Sequence, residues 1–155
     1  MFKRILVPID GSHTATQALV AALQLARDGG GRVRLLHVLE DRLSADSDYG
    51  GYAGKLVQAL RQAADRVLSA GLAVAQSAGV EADHMVCDNS GARLGSAVAE
   101  AAMRWNADLI VVGTHGRRGL ERVLLGSGAE QIIRQTPVPV LVFRATGGDA
   151  RHNAA

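Results

Sequence analysis

The sequence predicts an α/β fold: a single doubly wound five-stranded parallel sheet, order 3-2-1-4-5, with helices on both faces. Three observations point to it. Short β-branched apolar runs alternate with stretches of helical period along the sequence. Most of those runs are continuously apolar, as strands buried on both faces are. Strands separated by helices pair in parallel through right-handed crossovers, which places helices on both sides of one sheet.

Each element follows in order. Arg4 to Ile9 is a β-branched-rich run closed by the turn signal "DGS" and forms strand one. From Thr14 the face Ala15, Leu19, Ala22, Leu23, Ala26 has helical spacing, and the glycines at 29 to 31 supply a stop. Val33 to Leu39 is strand two, followed by the long acidic connection "EDRLSADSDYGGYAG". Helix two spans roughly Ala53 to Ala78 with the stripe Leu56, Leu60, Ala63, Val67, Gly71 and Val74, where a glycine permits close helix–sheet packing. Glu81 to Cys87 is a weaker third strand. Leu94, Val98, Ala101 and Trp105 mark helix three, with Arg93, Ser96, Glu100 and Arg104 on its other side. "DLIVVG" is strand four, "SGAEQIIRQ" helix four and "VPVLVF" strand five.

At 155 residues, the sequence suits one domain with its own core, set at residues 1–146, followed by a small, polar tail at 147–155. Basic residues exceed acidic ones by only 17 to 15, the arginines are dispersed, and aromatics are 3% of the total. That pattern argues against a nucleic-acid partner. The single cysteine, Cys87, excludes an internal disulfide, and no Cys/His spacing fits zinc. The apolar run after "MFKR" is shorter than a signal segment or a membrane span. The expectation is a cytoplasmic protein with no membrane partner.

In a doubly wound sheet, ligands sit outside the carboxyl ends of the strands where the winding reverses, here between strands one and four. The loops leaving those strands are "IDGS" and "GTHG". Gly113 and Gly116 follow strand four, and Gly126 and Ser127 precede helix four. Glycines let backbone N–H groups approach an anion, and a helix N-terminus adds oriented donors. Ser127 with Glu130 also matches a capping box, which needs no ligand. Asp10 can orient a ligand or meet a phosphate-borne Mg2+, or simply form an Asx turn. His115 is a phosphate or ribose donor, or a solvated loop histidine. Arg117 and Arg118 are read as solvated, and His37 and His84 as structural.

The spacing Gly113-x2-Gly116-x9-Gly126-Ser127 resembles the G-x2-G-x9-G-S/T signature of the ATP-binding branch of the universal stress protein family. "ILVPIDGS", "LLHV", "ADLIVVGTHGRRGLERVLLGS" and "TPVPVLVFR" are similar to that family in the same order. The resemblance implies an adenine-nucleotide alpha hydrolase-like fold, usually homodimeric, that binds ATP, ADP or AMP. Carried over by motif, Pro8, Ile9 and Asp10 line the adenosine side, and Val38 meets the adenine through its backbone. Val112, Gly113, His115 and Gly116 wrap the ribose and phosphates, while Gly126, Ser127, Gly128 and Ala129 supply phosphate donors. Family members usually carry a bulkier residue at the place of Gly128 and often a hydroxyl near Ala129, so a side-chain phosphate contact is missing here.

Strand five carries both Pro137 and Pro139 at its start, residues that belong at a strand's start or on an edge strand. Its unprotected edge, Val138 to Arg144, invites pairing with a second copy, and the resemblance implies the same homodimer. Three functions follow: an ATP-binding stress-response dimer, a regulatory interaction protein of the same fold that binds no nucleotide, or a weak ATPase. No phosphate-binding lysine loop and no nucleophile with an adjacent base is present to support faster catalysis.

Overall fold

The computed structural model describes residues 1–39, 52–88, 93–114 and 125–144. The elements run β1 (Arg4–Pro8), α1 (His13–Gly29), β2 (Arg32–Leu39), α2 (Tyr52–Ser77), β3 (Ala82–Asp88), α3 (Leu94–Trp105), β4 (Leu109–Gly113), α4 (Ser127–Gln135), β5 (Val140–Phe143). The five strands form one sheet ordered β3-β2-β1-β4-β5, every pair parallel. This is the doubly wound fold predicted.

The central strand explains the two-faced packing. Ile5, Leu6 and Val7 of β1 are completely buried, and their side chains alternate across the sheet. Ile5 and Val7 join Leu19 and Leu23 of α1 and Leu68 of α2 in one core. Leu6 joins Val98 and Trp105 of α3 and Ile132 of α4 in the other. Both faces of β1 are therefore covered, which is why its sequence is continuously apolar. Gly30 ends α1 in the left-handed region, φ 61°, as the glycine stop predicted.

Two details differ from expectation. In α2 the buried line is Ala64, Leu68, Gly71 and Ala75, one position round from the stripe predicted, and Leu56 is 45% exposed. The helix is so rich in Ala, Leu and Val that its apolar sector is wider than the contact with the sheet, so periodicity finds the sector but not its centre. Gly71 does sit at a close approach, since a Cβ there would stand 2.8 Å from Leu35 Cδ1. β5 starts at Val140 rather than Val138, because Pro137 and Pro139 have no N–H to enter a ladder. Pro139 instead contributes its carbonyl, which accepts from Ile110 N at 2.9 Å. The acidic connection after β2 and the 147–155 tail lie outside the described residues.

Candidate functional site at the carboxyl ends of β1 and β4

One wall is the turn that leaves β1. Ile9 N donates to Leu36 O at 2.8 Å, the last backbone ladder bond between this segment and β2 among the described residues. Asp10 Oδ1 then accepts from Ser12 N at 2.9 Å, an Asx turn passing through Gly11 at φ 82°. Ser12 becomes the N-cap of α1, its Oγ accepting from Ala15 N at 3.2 Å. One carboxylate oxygen of Asp10 is thus committed to the turn. His37 Nδ1 lies 2.8 Å from Ile9 O, a structural role of the kind expected for it.

The opposite wall is assembled from two segments that the sequence separates. Thr114 N donates to Phe143 O at 3.0 Å, and Gly126 N donates to Thr114 O at 2.6 Å. The start of α4 is thereby pinned to the end of β4. Gly113 packs so tightly on α1 that a Cβ there would stand 2.9 Å from both atoms of the Thr14 backbone carbonyl. That contact joins the two walls, and only glycine fits it. His115 and Gly116, with Arg117 and Arg118, lie outside the described residues.

The capping-box expectation at Ser127 is corrected. Gly126 is the N-cap, at φ −60°, ψ 148°, with no side-chain cap, and Ser127 is the first helical residue. The bond from Gly126 to Thr114 fixes the non-helical residue one place earlier than the hydroxyl pattern indicated. Glu130 does not reach back; its carboxylate pairs with Arg134 at 2.9 Å. The same bond spends the Gly126 N–H, so Gly126 does not offer the donor assigned to it. The donors that an α-helix leaves unused in its first turn are those of Ser127, Gly128 and Ala129. They carry the positive end of the α4 dipole.

The model of the universal stress protein family matches residues 1–144. The chain belongs to the universal stress protein family. A putative universal stress protein of Staphylococcus aureus is 32% identical over 92% of this chain and 84% of its own length. A solved family member from Burkholderia pseudomallei is 32% identical, covering 91% of this chain and 95% of that one, with a TM-score of 0.71. The solved protein MJ0577 is 26% identical over 95% of this sequence and 99% of its own, with a TM-score of 0.81. Two solved universal stress proteins that share the fold were determined as complexes, one with cAMP (24% identity, 92% and 97% coverage, TM-score 0.58) and one from Archaeoglobus fulgidus with dAMP (21% identity, 90% and 96% coverage, TM-score 0.67).

In this universal stress protein, Pro8, Ile9 and Asp10 leave β1 beside Val112 and Gly113 at the end of the adjacent β4, to which the start of α4 is bonded, and Val38 sits one strand over on β2, beside the exit of β1. Among the described residues no cluster of three metal-ligating side chains is found. Among the described residues of the two loops, Asp10 is the carboxylate and one of its oxygens is committed to the turn, so a Mg2+ here fits as an ion held mainly by phosphates and water. Sequence reasoning missed a neighbouring feature. A cavity of about 290 Å³ opens between α1 and α2 and adjoins the crevice at Ile9 and Gly11, with Leu19, Val67 and Arg66 among its walls. It lies on the α1–α2 face rather than between the two loops.

Burial pushes the half-buried Cys87 thiol up, and the charges of Glu100 and Asp88 add to this against Arg104. Such a thiol is a poor nucleophile. Near the amino ends of β1 and β2, Arg34 makes a bidentate pair with Asp83, both bonds 2.6 Å, and lies 4.7 Å over Trp105. Arg4 donates to Trp105 O at 2.7 Å. Among the described residues no helix is long and apolar enough to cross a membrane.

Proposed function

We propose that this universal stress protein binds ATP, or the related nucleotides ADP and AMP, in the crevice between the β1 and β4 loops, and acts in the cytoplasm as a stress-response dimer. The observation that carries the reading is the 2.6 Å bond from Gly126 N to Thr114 O. It sets three unused helix donors beside the glycine end of β4, at the topological switch point, where an anionic phosphate gains most. The adenosine end then falls towards Pro8, Ile9, Asp10 and Val38. His115 and Gly116 complete the phosphate wall in this reading. The complexes of other family members with cAMP and dAMP accord with an adenine nucleotide as the ligand class.

Backbone donors make the site tolerant of Gly128, because a residue without a side chain still presents its N–H. Asp10 contributes its second oxygen to the ribose side or to a nucleotide-borne Mg2+. Among the described residues the crevice holds no nucleophile paired with a base, and hydrolysis in this reading is slow at most. Dimerisation uses β5, which is an edge strand of the sheet and carries Leu141 41% exposed within the segment Val138 to Arg144. Isothermal titration of dialysed protein with ATP and with AMP tests the ligand, and mass spectrometry of nucleotide carried through purification supports it. The expected affinity is micromolar, about −8 kcal/mol. No heat and no carried nucleotide would reject the reading in favour of a regulatory dimer that binds none.

A further inference from the structure

We propose that His37 is a positioning residue for base recognition, holding the backbone of Val38 open toward the crevice. The proposal rests on the nucleotide reading above and adds a residue to it. In a parallel ladder, alternate residues of a strand turn their backbone groups to the same neighbour. Leu36 faces β1, since its carbonyl takes the Ile9 N–H at 2.8 Å. Val38, two residues on, faces the same way. β1 ends at Pro8, and the acceptor that would continue the ladder to the Val38 N–H is the carbonyl of Ile9. That carbonyl instead lies 2.8 Å from His37 Nδ1.

A carbonyl only accepts, so the imidazole carries its proton on Nδ1 and donates it. Among the described residues no backbone partner for the Val38 N–H is present. Its donor and its acceptor, side by side on one residue, face the gap that β1 leaves. An adenine edge offers the complement, an exocyclic amino donor beside a ring-nitrogen acceptor. Inosine has a carbonyl and a ring N–H at those places, so a base held in one orientation by its ribose cannot make the same pair. His37 acts through Val38 and touches no ligand itself. By drawing the Ile9 carbonyl towards its ring, it turns that acceptor away from the Val38 N–H, so the ladder does not close.

Amide exchange followed by NMR tests the backbone role in the ligand-free protein. The Val38 amide is expected to exchange much faster than that of Leu36 in the native protein, and to become protected in His37→Phe, where the Ile9 carbonyl is released to it. His37→Asn, whose amide places a donor where Nδ1 stood, is expected to restore fast exchange. Titrations with ATP and inosine triphosphate read the consequence: the native preference for ATP falls by about tenfold in His37→Phe, one hydrogen bond's worth, and returns in His37→Asn. A Val38 amide as protected as Leu36 in the native protein, or an ATP preference unchanged in a folded His37→Phe variant, overturns the proposal. Exchange that responds to His37 in a protein binding neither nucleotide supports the backbone role and rejects the nucleotide reading alone.

Discussion

Replacing Ser127 by proline removes one proposed phosphate donor and leaves the helix intact. Ser127 is the first residue of α4, the position at which proline is favoured because its missing N–H has no helical partner. The preceding residue, Gly126, already has φ −60°, ψ 148°, the extended backbone that proline demands of its neighbour. Folding stability is therefore expected to stay within about 0.5 kcal/mol of native, or to rise through reduced freedom of the unfolded state. A hydrogen bond to a charged group contributes about 1.5–3 kcal/mol, so losing it weakens ATP binding roughly 10- to 150-fold. Ser127→Ala keeps the N–H, removes only the hydroxyl, and should bind within about threefold of native if the backbone makes the contact. Urea melts and calorimetric titrations of the three proteins decide the matter. A proline variant that melts like native and binds ATP equally tightly would refute the assignment of these donors.

Other consequences are as specific. Gly95 of α3 stands where a Cβ would lie 2.5 Å from the Gln131 carbonyl oxygen of α4; Gly95→Val should force the helices apart and destabilise by about 1–3 kcal/mol, read as a lower urea midpoint, and an unchanged midpoint contradicts the packing. Leu141→Arg on exposed β5 is expected to turn a dimer into a monomer in light scattering without moving the melting temperature of the protomer; a monomeric native protein refutes the edge-strand dimer. The thiol of Cys87 is raised above its ordinary value of 9.0, so alkylation by iodoacetamide at pH 8 should be slower in the folded protein than in urea. The sign for stability follows: the raised value stabilises the fold below the unfolded thiol's pKa, and that contribution is lost as pH rises above it through the folded value. A thiol that reacts as fast folded as unfolded denies this environment.

Most of the fold was legible because the central strands are buried on both faces, which leaves uninterrupted apolar runs in β1 and β4 that no other element mimics. Glycine spacing marked two close backbone approaches for a similar reason, since Gly113 packs on Thr14 and Gly126 bonds to Thr114. What escaped depended on contacts between distant residues. The span of α4, "SGAEQIIRQ", was legible, but its cap was read one residue late because the bond from Gly126 to Thr114, not the hydroxyl of Ser127, determines it. The centre of the α2 contact was misjudged because an Ala-rich surface has no sharp edge. The role of His37 was legible only as structural; its partner Ile9 is 28 residues away, and nothing in "LLHV" names it.

The central claim is a place as well as a ligand, and an ATP titration followed by backbone NMR tests both together. The account predicts saturable, micromolar shifts of the Ser127, Gly128 and Ala129 amides, with Val38 and Gly113 moving in the same titration and α3 unmoved at Met103. Saturable shifts confined to the α1–α2 cleft around Arg66 and Val67, or no shifts at millimolar ATP, would contradict it.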